Sequence, residues 1–200
     1  MPNLELHNRL YLNDGNGNFM YSAGGDATST NLESVGVAAG DFDGDGDIDL
    51  YVANKFQGRA NELLINDGSG NFTSVAGGDA TFVATSSRLD CVVTCDLDGD
   101  GDLDIFVNGD PSVLFLNDGT GNFSEIKGVL SDNIPGPAVC FDATGNKHMD
   151  IWIEKREFNL HKGASIPFLL HTEAGDAIKN RDKHVGAIPF DVDGDGDMVR

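Results

Sequence analysis

Asp41-Phe42-Asp43-Gly44-Asp45-Gly46-Asp47-Ile48-Asp49 places five carboxylates within nine residues, and it returns almost unchanged as Asp96-Leu97-Asp98-Gly99-Asp100-Gly101-Asp102-Leu103-Asp104. Two worn copies follow, Asp142-Ala143-Thr144-Gly145-Asn146-Lys147-His148-Met149-Asp150 and Asp191-Val192-Asp193-Gly194-Asp195-Gly196-Asp197-Met198-Val199. A pattern recurring about every 50 residues marks a repeat architecture, in which each copy is one supersecondary unit.

The other half of the repeat is a turn. It reads Asn13-Asp14-Gly15-Asn16-Gly17-Asn18-Phe19, Asn66-Asp67-Gly68-Ser69-Gly70-Asn71-Phe72 and Asn117-Asp118-Gly119-Thr120-Gly121-Asn122-Phe123, with His171 to Asp176 as a worn fourth copy. Asn-Asp-Gly between apolar runs signals a hairpin, because Asn and Gly tolerate the positive φ of tight turns. Short apolar stretches such as Val35 to Ala39 precede the acidic loops, and β-rich runs (Leu50-Tyr51-Val52, Ile105-Phe106-Val107, Ile151-Trp152-Ile153) follow the first three. The unit is therefore strand, acidic loop, strand, strand, tight turn, strand. Four short antiparallel strands per repeat, with no helical periodicity over three turns, predict an all-β chain of β-propeller blades. A β-sandwich would not require an acidic loop at every repeat. The expected division is a partial blade at 1–33, blades at 34–84, 85–135 and 136–183, and a partial blade at 184–200. The chain opens on the third strand of a blade, Leu10-Tyr11-Leu12, and ends just after a loop. It is thus expected to form an arc of a larger ring, with exposed blade edges open to association, rather than a sealed four-bladed ring.

Composition sets further bounds. At 200 residues and 40% hydrophobic content the chain can build a core, and 26 glycines fit a turn-rich fold. A formal net charge of −20 argues against nucleic acid as a partner. No apolar run reaches the ~18 residues of a membrane span, so no membrane insertion by this segment is expected, and Met1 to Leu12 lacks the pattern of a signal peptide. Cys91 and Cys95 are about 13 Å apart on an extended strand, too far to bridge. The three cysteines are read as buried free thiols, with a Cys95 to Cys140 bridge as the alternative.

Crowded carboxylates oppose folding unless a cation gathers them. Aspartates at positions 1, 3, 5 and 9, with the position 7 carbonyl, supply the oxygen-rich coordination that Ca²⁺ favours, whereas Mg²⁺ demands a stricter octahedron. An EF-hand would need Glu at position 12 between helices. Here that position is Val52, Val107 and Ile153, each in a strand-like run. Sixteen of the 33 acidic residues lie in the four loops, so the acidity is mainly that of metal sites.

Together, Asn61-Glu62-Leu63-Leu64-Ile65-Asn66-Asp67-Gly68 and Asp41 to Asn54 resemble the FG-GAP/VCBS repeats of integrin-alpha-like β-propellers. The likeness spans nearly the whole chain. It implies Ca²⁺ in the blade hairpins, a ring often of seven blades, and a cell-surface or extracellular protein that binds macromolecules. Carried over by position, the ligands are Asp41, Asp43, Asp45, the Asp47 carbonyl and Asp49, then Asp96, Asp98, Asp100, the Asp102 carbonyl and Asp104. The worn loops offer Asp142, Thr144, Asn146, the His148 carbonyl and Asp150, then Asp191, Asp193, Asp195 and the Asp197 carbonyl. The first two sites are expected to bind more tightly than the third, which has lost charge.

The function expected is a noncatalytic, calcium-stabilised binding or adhesion module for a protein or glycan. The alternatives are a propeller domain of a larger secreted enzyme and a lectin-like sugar-binding propeller. Against an enzyme, the chain holds no G-x-S-x-G elbow, H-E-x-x-H pair or dinucleotide glycine fingerprint. His7, His148, His161, His171 and His184 are scattered and read as surface or packing residues. Asn71-Phe72-Thr73 and Asn122-Phe123-Ser124 are glycosylation sequons, although the turn motif produces them in any case.

Overall fold

The computed structural model describes residues 7–29, 33–54, 60–82, 89–109, 111–126, 136–143 and 145–153. The worn turn at His171 to Asp176, the loop Asp191 to Val199, Thr144, and His161 and His184 lie outside these residues. So does most of the predicted 136–183 blade and the whole 184–200 segment.

The chain is all-β. A hairpin, β1 (Leu10–Asn13) and β2 (Phe19–Ser22), leads through a single helical turn, α1 (Asp26–Ser29), into the first complete blade. That blade is a four-stranded antiparallel meander of β3 (Ser34–Gly40), β4 (Asp49–Asn54), β5 (Glu62–Asn66) and β6 (Phe72–Val75). A second helical turn, α2 (Asp79–Phe82), leads into an equivalent sheet of β7 (Leu89–Cys95), β8 (Asp104–Gly109), β9 (Val113–Asn117) and β10 (Phe123–Ile126). The third repeat contributes the pair β11 (Ala138–Phe141) and β12 (Asp150–Ile153). Among the described residues the sheets do not close into a ring, in keeping with the arc reading.

Strand alternation explains the stacking. Successive side chains on a strand point to opposite faces, and in β4 Tyr51 and Ala53 join Leu63, Ile105, Val107 and Phe115 in a core between the two complete blades. The intervening Val52 packs the other way, with Leu64, Phe72 and Ala27, toward the β1–β2 hairpin. On the far side of the second blade, Phe106 and Leu114 meet Ile151 and Ile153 of the third repeat. Each core therefore lies between consecutive sheets. Among the described residues, the complete blades bury apolar side chains on both faces against their neighbours.

The first strands of successive repeats, β3, β7 and β11, lie side by side. This neighbourhood corrects the reading of the cysteines as free thiols: Cys95 on β7 and Cys140 on β11 are joined by a disulfide, with Cα atoms 6.5 Å apart. That spacing is within bridging range because stacking brings together residues one repeat apart in sequence. Cys91 stands outside the bridge; its sulfur accepts from the Ala138 amide at 3.1 Å.

Candidate metal centre

Both five-aspartate loops connect the first and second strands of a blade, and both fold around the aspartate at position 1. Asp41 accepts from the Gly44 and Gly46 amides at 2.8 and 3.0 Å, and Asp96 accepts from Gly99 and Gly101 at 2.7 and 3.0 Å. Asp43 and Asp45 accept from the Asp45 and Asp47 amides, as Asp98 and Asp100 do from Asp100 and Asp102. The position 6 residue, Gly46 or Gly101, has φ of 94° or 101°, a conformation that glycine adopts without strain.

Position 9 does a different job. Asp49 is fully buried, and its two oxygens accept from the Phe42 amide inside the loop and the Asn66 amide at the end of β5, both at 2.9 Å. Asp104 repeats this with Leu97 at 2.7 Å and Asn117 at 2.9 Å. The position 9 carboxylate thus ties the acidic loop to the Asn-Asp-Gly turn of the same blade. The sequence pattern offered it as a candidate ligand and missed this structural role. The turn also reaches the preceding blade, since the Asn117 side-chain amide donates to the Phe42 carbonyl at 2.9 Å.

The loops bring three carboxylates together in each case. One oxygen from each of Asp41, Asp43 and Asp49, and from each of Asp96, Asp98 and Asp104, lies within 4.8 Å of the others. Asp45 and Asp100 stand outside these two groups, as do Asp47 and Asp102. A close group of hard oxygen donors on a tightly turned backbone fits a hard divalent cation. Among the described residues, the third loop forms no such group. There Asp142 accepts from the Gly145, Asn146 and Lys147 amides, Asp150 from Ala143, and Asn146 from the His148 amide. Lys147 stands where the other loops have glycine and has φ of 69°, so this loop keeps the fold of its relatives with less of their charge.

Burial raises the carboxyls at the bottom of the complete loops. It is the leading cause for Asp104, pushed up to about 6, and for the upward shift of Asp49, against the lowering effect of their two backbone hydrogen bonds. Asp104 lies above the ordinary 3.8, so its contribution to the fold is fully present below that value and is lost as pH rises through about 6. The metal-free chain is therefore expected to melt at a higher temperature near pH 5 than near pH 7. A bound cation favours the charged carboxylates and should reverse the order, which melting curves at both pH values with and without a chelator will check.

The exposed turns shift the other way. Hydrogen bonds from Ser69 lead in lowering Asp67 to about 2, and Asp118 is lowered first by Thr120. Asn71 and Asn122 donate their side-chain amides to these aspartates at 3.2 and 3.0 Å. Both sequon asparagines therefore have a structural use within the turn.

One repeated element was not recognised in the sequence: Gly24-Gly25-Asp26-Ala27-Thr28 and Gly77-Gly78-Asp79-Ala80-Thr81. Each connector crosses from one blade to the outer strand of the next. The Phe72 amide donates to the Gly24 carbonyl at 3.3 Å and the Ser74 amide to the Asp26 carboxylate at 2.9 Å. The second copy receives the Phe123 and Glu125 amides at 3.4 and 3.0 Å. The identical pentapeptide, one repeat apart, was the signal that could have revealed it.

Models of the FG-GAP-like repeat match the chain three times, over residues 5–52, 41–107 and 96–153. No curated protein matches it. A solved structure, described as an Agrocybe aegerita lectin with specific recognition of non-reducing terminal N-acetylglucosamine, is 24% identical with a TM-score of 0.48. The match covers 72% of this chain and 40% of that one.

Proposed function

Because the chain belongs to the FG-GAP-like repeat family, we propose that it is a noncatalytic binding module whose blades are stabilised by Ca²⁺ and whose partner is a protein or glycan outside the cell. The observation that carries this reading is the pair of three-carboxylate groups, Asp41, Asp43 and Asp49 with Asp96, Asp98 and Asp104. Asp45 and Asp100, with the Asp47 and Asp102 carbonyls, would complete each site. The ion would neutralise the loop that Asp49 or Asp104 ties to the turn, and so stiffen the blade and its junction with the next. The Cys95–Cys140 bridge supports an oxidising compartment, since disulfides persist chiefly outside the cytosol.

Calcium at about 100 times its dissociation constant should stabilise the fold by about 2.7 kcal/mol per site. The chain is expected to take up two ions tightly in a calorimetric titration, and one after Asp43→Ala or Asp98→Ala. Asp47→Ala should still take up two, because that residue would give only its carbonyl. Melting curves that coincide in calcium and in chelator, on a sample shown to be metal-free, would refute the structural role.

A further inference from the structure

The two candidate metal centres are joined by a continuous line of hydrogen bonds, which crosses from one blade to the next through Asn117. Asp49 of the first centre accepts from the Phe42 amide at 2.9 Å. The carbonyl of the same Phe42 accepts from the Asn117 side-chain amide at 2.9 Å, and the Asn117 backbone amide donates to Asp104 of the second centre at 2.9 Å. Phe42 lies between Asp41 and Asp43 in the chain. The backbone that carries two carboxylates of the first centre therefore also carries the carbonyl that Asn117 grips.

Two further contacts tighten this junction. The rings of Phe42 and Phe123 meet edge to face with centroids 5.8 Å apart. The loop and turn backbones approach so closely that a Cβ on Gly44 would lie 3.4 Å from the Gly119 carbonyl oxygen. Asn117 is 5% exposed, and its side-chain amide also donates to the Leu103 carbonyl at 3.2 Å, inside the second acidic loop. One side chain thus touches both loops. Asn66, at the same place in the preceding turn, donates to Ile48 of its own blade at 3.0 Å.

Resting on the calcium reading above, we propose that Asn117 is a positioning residue that couples the two centres, so that filling one raises the affinity of the other. Gathering Asp41, Asp43 and Asp49 fixes the backbone at Phe42, and with it the carbonyl that holds the Asn117 side chain. A fixed Asn117 presents its backbone amide to Asp104 and its side chain to Leu103, which prepares the second loop. Linkage makes the effect reciprocal, and couplings between sites start at about fivefold in affinity. Charge repulsion between two filled centres acts the other way but is largely screened at about 0.5 M salt.

The test is a calorimetric titration of the full 200-residue chain with calcium chloride at that salt concentration. The single-centre variants Asp43→Ala and Asp98→Ala give the association constant of each centre with the other disabled. The product of the two constants of the unaltered chain should exceed the product of the single-centre constants by about fivefold or more. On an Asn117→Ala background the excess should vanish with two ions still bound, whereas a merely structural role would weaken the constants and keep the excess. A second measurement leaves Asn117 in place. Calcium should slow hydrogen exchange at the Asn117 amide of the Asp98→Ala chain and at the Phe42 amide of the Asp43→Ala chain. Equal products in the unaltered chain, an excess that survives Asn117→Ala, or distant amides indifferent to calcium would overturn the coupling and leave the calcium centres standing. Calcium taken up by neither loop would overturn both.

Discussion

Asp104→Ala is expected to lower the unfolding free energy by roughly 3–5 kcal/mol, because it strands two buried amides at about 1–3 kcal/mol each and leaves a small void. Those amides belong to Leu97, at the start of the acidic loop, and Asn117, at the end of β9, and the carboxylate between them is fully buried. Denaturant curves run in chelator near pH 5, below the value of about 6 to which burial raises Asp104, will isolate this effect from the loss of an ion. Asp104→Asn should cost less, since its one carbonyl oxygen still serves one of the two amides. Asp100→Ala, at an exposed position of the same loop, should change the metal-free stability by well under 1 kcal/mol. Equal losses for Asp104→Ala and Asp100→Ala would show that position 9 is only a ligand and not a tie between loop and turn.

Reduction of the Cys95–Cys140 disulfide should remove about 4 kcal/mol, the chain-entropy value for a loop of this length, the two cysteines being 45 residues apart. The bridge joins β7 to β11, so its loss should loosen the third repeat first and leave the core around Phe42, Tyr51 and Phe115 intact. Oxidised and reduced samples compared by urea unfolding, with hydrogen exchange at β11 and β12, will read both effects. Thiol titration of the oxidised, denatured chain should find one reactive group, Cys91. Superimposable unfolding curves, or three titratable thiols, would contradict the bridge.

Much of this protein was legible because its determinants are local. The Asp-x-Asp-Gly-Asp-Gly-Asp-x-Asp loop and the Asn-Asp-Gly turn each work within about ten residues, through amides a few positions away, so their spacing alone disclosed the hairpins and the blade order. The first two acidic groups, Asp41, Asp43 and Asp49 and their counterparts, were among the residues singled out from the pattern. The residues outside those groups, Asp45 and Asp100, occupy equivalent places in the text of the loop. Nothing in that text separates a carboxylate that joins the group from one that stays outside it, since Asp43 and Asp45 each accept the amide two residues on.

The sequence by itself determined the repeat, the strand order within a blade and the crowding of charge in the acidic loops. Tertiary structure alone decided how consecutive blades are held together. The connector of one repeat reaches Phe72 or Phe123 of the next, Asn117 reaches Phe42 across 75 positions, and Cys95 meets Cys140. Each of these contacts depends on the twist and stacking of whole sheets. Local hydrogen bonding fixes the chemistry of a loop, but only packing brings residues a full repeat apart within bonding distance.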